Sequence, residues 1–246
     1  MNRSTLPPAG RGLLVSERFV SLQGEGASVG MPAAFLRLGN CNLACTYCDT
    51  KYTWDADNYD LSQELSAVSL NDTADWICES APGRLIVTGG EPLLQHRRLA
   101  SLFAELDARL ALKSKSPLVI EIETNGTVMP SAALSERIDQ WNVSPKLSCS
   151  GESKERRLIE PVLRHLASLS NTYFKFVVTS DQDVSEVEEL IEQFSFSRDR
   201  VLMMPEARSA DELRQRAPQV AKWAQEASVR YSGRLHLELY GGKRGT

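Results

Sequence analysis

A chain of 246 residues, 42% apolar and 24% charged, has the balance of a globular protein with one large domain or two small ones. Its formal net charge of −4 leaves no basic footprint for nucleic acid, and no apolar run approaches the length of a membrane span. The opening residues, MNRSTLPPAGRG, lack the apolar core of a secretory signal, so a soluble, cytoplasmic protein with reduced thiols is expected.

Residues 1–12 read as a flexible N-terminus and residues 13–246 as a single domain, because no repeat, low-complexity tract or Pro/Gly/Ser linker divides the chain. Strands are predicted at 13–20 and 33–38, a helix at 73–80 and a strand at 84–88. A long helix follows at 92–112, with Leu99, Leu102, Phe103, Leu106 and Leu110 on one stripe. Pro92 suits its first turn, where a missing N–H is no loss. Then come a strand at 118–123, a helix at 132–139, a short strand at 141–143, a helix at 155–168 and a strand at 173–179. The next helix carries Val184, Val187, Leu190, Ile191 and Phe194 on a buried face. A strand at 201–204, a helix at 210–227 and a last strand at 234–240 complete the pattern. Such alternation predicts an α/β fold with a parallel sheet. A full eight-unit barrel needs about 250 residues. With about six units, some of them thin, the expectation is a partial, open TIM-like barrel whose functional residues lie at the C-terminal strand ends.

Three cysteines lie at one of those ends. Cys41, Cys45 and Cys48 form a C-x3-C-x2-C loop after the second strand. A [4Fe–4S] cube usually takes four thiolates, so three from one loop leave an iron open to a small molecule such as S-adenosylmethionine. Structural zinc is the competing reading. It needs a fourth ligand, which Cys78, Cys149, His96, His165 or His236 would have to supply. Disulfides fit poorly with five cysteines and no secretory signal.

The cysteine loop, with Tyr47 just before its last thiol, and the later Gly89-Gly90-Glu91-Pro92 together resemble the radical S-adenosylmethionine superfamily. The flanks narrow the likeness. Phe19-Val20-Ser21-Leu22-Gln23-Gly24-Glu25-Gly26, Cys48-Asp49-Thr50, the run from Val87 to Gln95, Glu123-Thr124-Asn125-Gly126-Thr127 and Ser144-Pro145-Lys146 stand in order. Together they resemble the 7-carboxy-7-deazaguanine synthase family of the queuosine (7-deazapurine) pathway. Beyond residue 146 only Lys175-Phe176-Val177-Val178 and Met204-Pro205-Glu206 add to it.

That resemblance implies a lyase. A deoxyadenosyl radical takes a hydrogen from C6 of 6-carboxy-5,6,7,8-tetrahydropterin, the ring contracts to 7-carboxy-7-deazaguanine, ammonia leaves, and the cofactor is regenerated. It further implies a [4Fe–4S] cluster, S-adenosylmethionine and Mg²⁺, a homodimer, and an electron donor such as flavodoxin or ferredoxin. By family match the cube takes Cys41, Cys45 and Cys48. Tyr47 lies by the adenine, Gly89 and Gly90 by the methionine ammonium, and Asp49, Ser144, Pro145 and Lys146 by the methionine and ribose. Glu123, Asn125, Met204 and Glu206 are further cofactor candidates, although strand-end polar residues also serve as loop caps. Leu22, Gln23, Gly24 and Thr88 would meet the pterin.

Two candidates carry arguments of their own. The resemblance gives the Thr50 hydroxyl to Mg²⁺, which suits an ion that keeps most of its waters and takes few protein oxygens; capping a turn is the alternative. Arg37 lies in the apolar strand Ala33-Ala34-Phe35-Leu36-Arg37-Leu38, where alternation puts Phe35, Arg37 and Gly39 on one face. A guanidinium there needs a partner. It would take the substrate carboxylate bidentately or pair with an internal acid such as Glu121 or Glu123. The tail 240–246, ending at Thr246, has the glycines and basic charge to fold over an acidic ligand, or to remain a disordered basic end. A glycyl-radical activating enzyme and a zinc-binding module are the competing functions.

Overall fold

The computed structural model describes residues 12–114 and 116–246; the expected flexibility of residues 1–12 falls, but for Gly12, outside them. In chain order the strands are β1 (Leu13–Leu22), β2 (Pro32–Leu38), β3 (Ser66–Val68), β4 (Arg84–Gly89), β5 (Val119–Thr124), β6 (Gln140–Val143), β7 (Thr172–Val178), β8 (Val201–Pro205) and β9 (Arg230–Tyr231). The helices are α1 (Leu61–Glu64), α2 (Leu70–Ser80), α3 (His96–Leu112), α4 (Ala132–Arg137), α5 (Lys154–Arg157), α6 (Glu160–Ser168), α7 (Asp181–Phe194), α8 (Ala210–Glu226) and α9 (Leu235–Tyr240).

These strands form one sheet in the order β3-β1-β2-β4-β5-β6-β7-β8-β9. From β2 to β9 every neighbouring pair is parallel, whereas β1 runs antiparallel to both β2 and β3. The fold is a partial, open TIM-like barrel entered through an antiparallel hairpin.

Period two sorts the strand residues into two environments. One face carries Ala34, Leu36, Leu38, Leu85, Val87, Ile120, Ile122, Trp141, Val143, Phe174 and Phe176. With the apolar stripes of α3 and α7 these make the main core. The other face points into the barrel and stacks in levels, as in closed barrels. The lower level joins Phe35 to Ile86, Ile86 to Glu121 and Glu121 to Gln140 by register. The upper level pairs Arg37 with Thr88 and Glu123 with Asn142.

The lower level is saturated. Glu121 is fully buried. Its carboxylate accepts from Ser28 Oγ at 2.7 and 2.8 Å, Gln140 Nε2 at 3.1 Å and Asn142 Nδ2 at 2.8 Å, and it is ion-paired to Arg84.

Three expected elements differ. The strand at 234–240 is a correction: Leu235–Tyr240 is helical. Its Leu-His-Leu-Glu-Leu alternation mimics a strand, but only Leu237 is buried while Leu239 is 53% exposed. The edge of β8 is already taken by β9, and Gly241 ends the helix at φ 64°. The helix at 155–168 is two pieces, with α6 restarting where Pro161 occupies its first turn. The three-residue β3 and four-residue α1 carried too little periodicity to find. Residues 92–95 form a 3₁₀ turn before α3 proper.

Candidate active site

At the C-terminal strand ends, the cysteine loop leaves β2 through Asn40, which sits at φ 72° and donates to Thr53 O at 2.8 Å. Gly89 and Gly90, at the end of β4, press against this exit. A Cβ on Gly89 would stand 2.1 Å from Leu38 O, and one on Gly90 2.0 Å from Asn40 O. Only glycine permits that approach. It lets Gly90 N donate to Leu38 O at 3.1 Å and Glu91 N to Asn40 O at 2.8 Å.

Glu91 locks the next loop. Its fully buried carboxylate accepts from Leu93 N at 2.9 Å, Thr124 Oγ1 at 2.8 and 3.0 Å and Asn125 N at 2.7 Å. Burial outweighs these donors and raises its pKa above the ordinary carboxylate value. Asn125 then donates to Asn42 Oδ1 at 3.0 Å, and Asn42 to Thr127 Oγ1 at 2.7 Å. Thus the Thr-Asn-Gly turn holds the cysteine loop from the far side.

The three thiols are free, Cys45 buried and Cys41 and Cys48 half-buried. Burial pushes Cys41 up to about 11 and raises Cys45, and Lys146 opposes both shifts. Lys146 Nζ donates to Ser144 Oγ at 3.0 Å beside the buried Pro145. Trp54 Nε1 contacts Cys48 Sγ at 3.4 Å, and Thr50 Oγ1 lies 3.7 Å from it. Thr50 precedes a 3₁₀ turn without capping it through its side chain, so its hydroxyl is not consumed as a turn cap. Among the described residues no three His, Cys, Asp or Glu side chains converge on one point. A cube spreads its thiolates over separate irons, so this donor set, three thiols on one loop beside a lysine, fits an iron–sulfur cube.

Below the loop lies the polar upper level. Glu123 accepts from Gln23 Nε2 at 3.0 Å and Thr88 Oγ1 at 2.7 Å. Arg37 donates through Nε to Glu17 Oε2 at 2.7 Å. The internal partner is therefore Glu17, directly across from Arg37 in the β1–β2 register, and neither Glu121 nor Glu123. Burial alone would lower the Arg37 pKa, but Tyr52, Glu17, Asp49 and Glu123 outweigh it and raise it.

Facing this level is a charged cluster that sequence reading missed. Glu25 is ion-paired to Lys175 and, at 2.7 Å, to Arg234, with His236 Nε2 at 3.9 Å. Burial would raise the Glu25 pKa, but Lys175, Arg234 and His236 hold it well below the carboxylate range. His236 is pulled below its ordinary value by burial, with Glu25 opposing. Arg234 also pairs with Asp49 and donates to Ala207 O. The segment entering α9 covers the Gln23-Gly24-Glu25 turn. Leu235 N donates to Gly24 O and Gly26 N to Ser232 Oγ, both at 2.8 Å. The His236 ring is so close that a Cβ on Gly24 would stand 2.2 Å from Nδ1. A signal existed for Lys175, a cation alternating with Phe174 and Phe176. None existed for Arg234 and His236 once their segment read as an edge strand.

The remaining candidates divide. Leu22 ends β1 opposite Pro32, Tyr47 is half-buried beside Cys48, and Met204 is buried near the end of β8. Glu206 is engaged by Arg216 and by Arg208 at 3.8 Å, at the foot of α8. The Thr246 hydroxyl bonds locally to Lys243 O at 2.7 Å. The tail is tied to the site by Arg244 instead, through Glu17 at 3.1 Å and Glu64 at 2.7 Å.

The radical SAM superfamily profile matches residues 37–144, from Arg37 through the cysteine loop to Ser144. The 7-carboxy-7-deazaguanine synthase of Pyrobaculum aerophilum is 36% identical over 94% of this chain and 96% of its own. That of Rhodopirellula baltica is 32% identical over 95% and 89%. The chain belongs to the 7-carboxy-7-deazaguanine synthase family. The crystal structure of QueE from Escherichia coli, 23% identical, covers 93% of this chain and 96% of its own with a TM-score of 0.67, and supports the fold. Within the family frame, Arg37, Thr88 and Glu123 share one level directly under the cysteine loop.

Proposed function

We propose that the chain converts 6-carboxy-5,6,7,8-tetrahydropterin to 7-carboxy-7-deazaguanine with loss of ammonia, using S-adenosylmethionine catalytically. The observation that carries this reading is the polar level of Arg37, Thr88 and Glu123, with Gln23 bonded to Glu123, directly beneath a three-thiol loop. Cys41, Cys45 and Cys48 would hold a [4Fe–4S] cluster. When bound, the cluster and S-adenosylmethionine supply the hydrogen-abstracting radical and take the hydrogen back at the end.

The chain's own residues bind and shield. Arg37 offers its guanidinium to the substrate carboxylate, a planar match. Gln23, Thr88 and the backbone of Leu22 and Gly24 meet the pterin, with Glu123 fixing the Gln23 amide and the Thr88 hydroxyl. Thr50 would lend its hydroxyl to Mg²⁺, whose other ligands would be water and substrate oxygen. Gly89 and Gly90 bring backbone groups to the methionine end, with Tyr47 by the adenine and Asp49, Ser144, Pro145 and Lys146 along the ribose and methionine. Asn125 serves by holding the cysteine loop, and Met204, buried near the end of β8, would pack against the cofactor. The Ser232–Leu237 segment covers the pterin turn and keeps water out. A homodimer and a flavodoxin or ferredoxin donor complete the reading.

Anaerobic incubation with S-adenosylmethionine and the carboxypterin, followed by mass spectrometry, tests it. The deazaguanine acid should appear without matching accumulation of 5′-deoxyadenosine. Stoichiometric accumulation would favour a cofactor-consuming activating enzyme. Alanine at Cys41, Cys45 or Cys48 should abolish cluster binding and turnover, and full activity in Cys45→Ala would refute the ligand set.

A further inference from the structure

Arg37 has two ends, and the fold uses them differently. Its Nε is spent on Glu17 at 2.7 Å. Its terminal nitrogens make no hydrogen bond among the described residues. The guanidinium lies 5.9 Å from the centre of the Phe19 ring, itself stacked on Phe35 at 4.9 Å. A bond at Nε turns the outer NH2–NH2 edge away from Glu17, leaving the bidentate edge for another carboxylate.

Glu17 is itself held. It is mostly buried, 14% exposed at its side chain. Its Oε2 also accepts from Tyr52 OH at 2.9 Å, and its Oε1 from Arg244 Nε at 3.1 Å. Arg244 comes from the tail after Gly241 and Gly242, both at positive φ. It stacks on the Tyr52 ring with its central carbon 3.6 Å from the ring centre, and reaches Glu64 at 2.7 Å. One carboxylate thus joins an interior arginine to the C-terminal tail.

We propose that Glu17 is a positioning residue for substrate binding: it aims Arg37 at the substrate carboxylate, and Arg244 locks Glu17 by closing the tail over Tyr52. This rests on Arg37 as the carboxylate-binding residue. Two residues, Glu17 and Arg37, stand between Arg244 and the ligand, so its effect passes through Glu17 and is smaller.

The test uses the reconstituted holoenzyme and two pterins: the carboxylated substrate, and tetrahydropterin lacking the 6-carboxylate as a competitive inhibitor. A charged hydrogen bond is worth about 1.5–3 kcal/mol, so Glu17→Gln should raise KM for the carboxypterin about tenfold or more. It should leave kcat within about twofold and the inhibition constant of the uncharged pterin unchanged. Glu17→Asp should recover part of the loss. Arg244→Gln should raise KM about threefold alone and by no further factor in the Glu17→Gln background, the mark of coupled residues. Should Glu17→Gln fail to fold, Glu17→Asp and Arg244→Gln decide by the same constants. If Arg37→Gln raises KM and neither the Glu17 nor the Arg244 variants do, the positioning role is wrong. Equal weakening of both pterins would also overturn it, because that is general loosening. If Arg37→Gln itself leaves KM untouched, the carboxylate reading of Arg37 fails, and the inference with it.

Discussion

Glu121 and Glu123 stand two residues apart on one strand and face the same way, yet they live in different chemistry. Glu121 is fully buried and meets Ser28, Arg84, Gln140 and Asn142. Glu123 is half-buried and bonds only Gln23 and Thr88 among the described residues. One step up the barrel turns a carboxylate from a strut into a group with capacity left for a ligand. Depth along the strand separates the two, since charge and residue type are the same.

That contrast is breakable. The largest effect should come from Glu121→Ala, which strands Arg84 and three polar partners. Loss of one member of a buried pair costs about 3–5 kcal/mol, read as a lowered denaturant midpoint, with kcat/KM near wild type in whatever remains folded. Glu123→Gln should do the reverse. Its melting temperature should move little, while kcat/KM falls about 10–100-fold, the worth of one or two hydrogen bonds to a charged acceptor. Comparable stability losses in both variants would erase the distinction between levels.

Acid should loosen the charged cluster facing the upper level in a defined order. His236 and Glu25 both have folded pKa values below their unfolded ones. Each therefore contributes stability above its unfolded value that is lost as pH falls through the folded one. Thermal midpoints should begin to drop below about pH 6.5, where the unfolded imidazole takes a proton that the folded His236 refuses, and drop more steeply below about 4.5, where the unfolded carboxyl takes a proton before the ion-paired Glu25 does. In His236→Gln the first decline should vanish and the second remain. The smallest effect belongs to Cys78→Ala. That thiol packs in the outer core against neither level, so a change of about 1 kcal/mol with cluster content and turnover intact is expected.

How much of this lay open in the sequence follows the same division. The outer face was legible because its apolar residues repeat every second position in strands and along one stripe in α3 and α7. The cysteine loop and the glycine pair were legible because chemistry demands their spacing. The Glu17–Arg37 pair was not, since a cross-strand partner depends on hairpin register, which alternation alone leaves open. The Glu25–Lys175–Arg234–His236 cluster was hidden for another reason. Its members come from a turn, a distant strand and a helix whose leucines alternate as a strand's would. Local pattern cannot foretell a closure built from the last fifteen residues.

The glycine pair after β4 carries a consequence for anyone scanning genomes. Because main chain touches main chain there, a descendant that had lost all activity would still need both glycines to keep β2 and β4 this close. This signature therefore reports how two strands pack, while the thiol triplet and the Arg37–Thr88–Glu123 level bear on the chemistry.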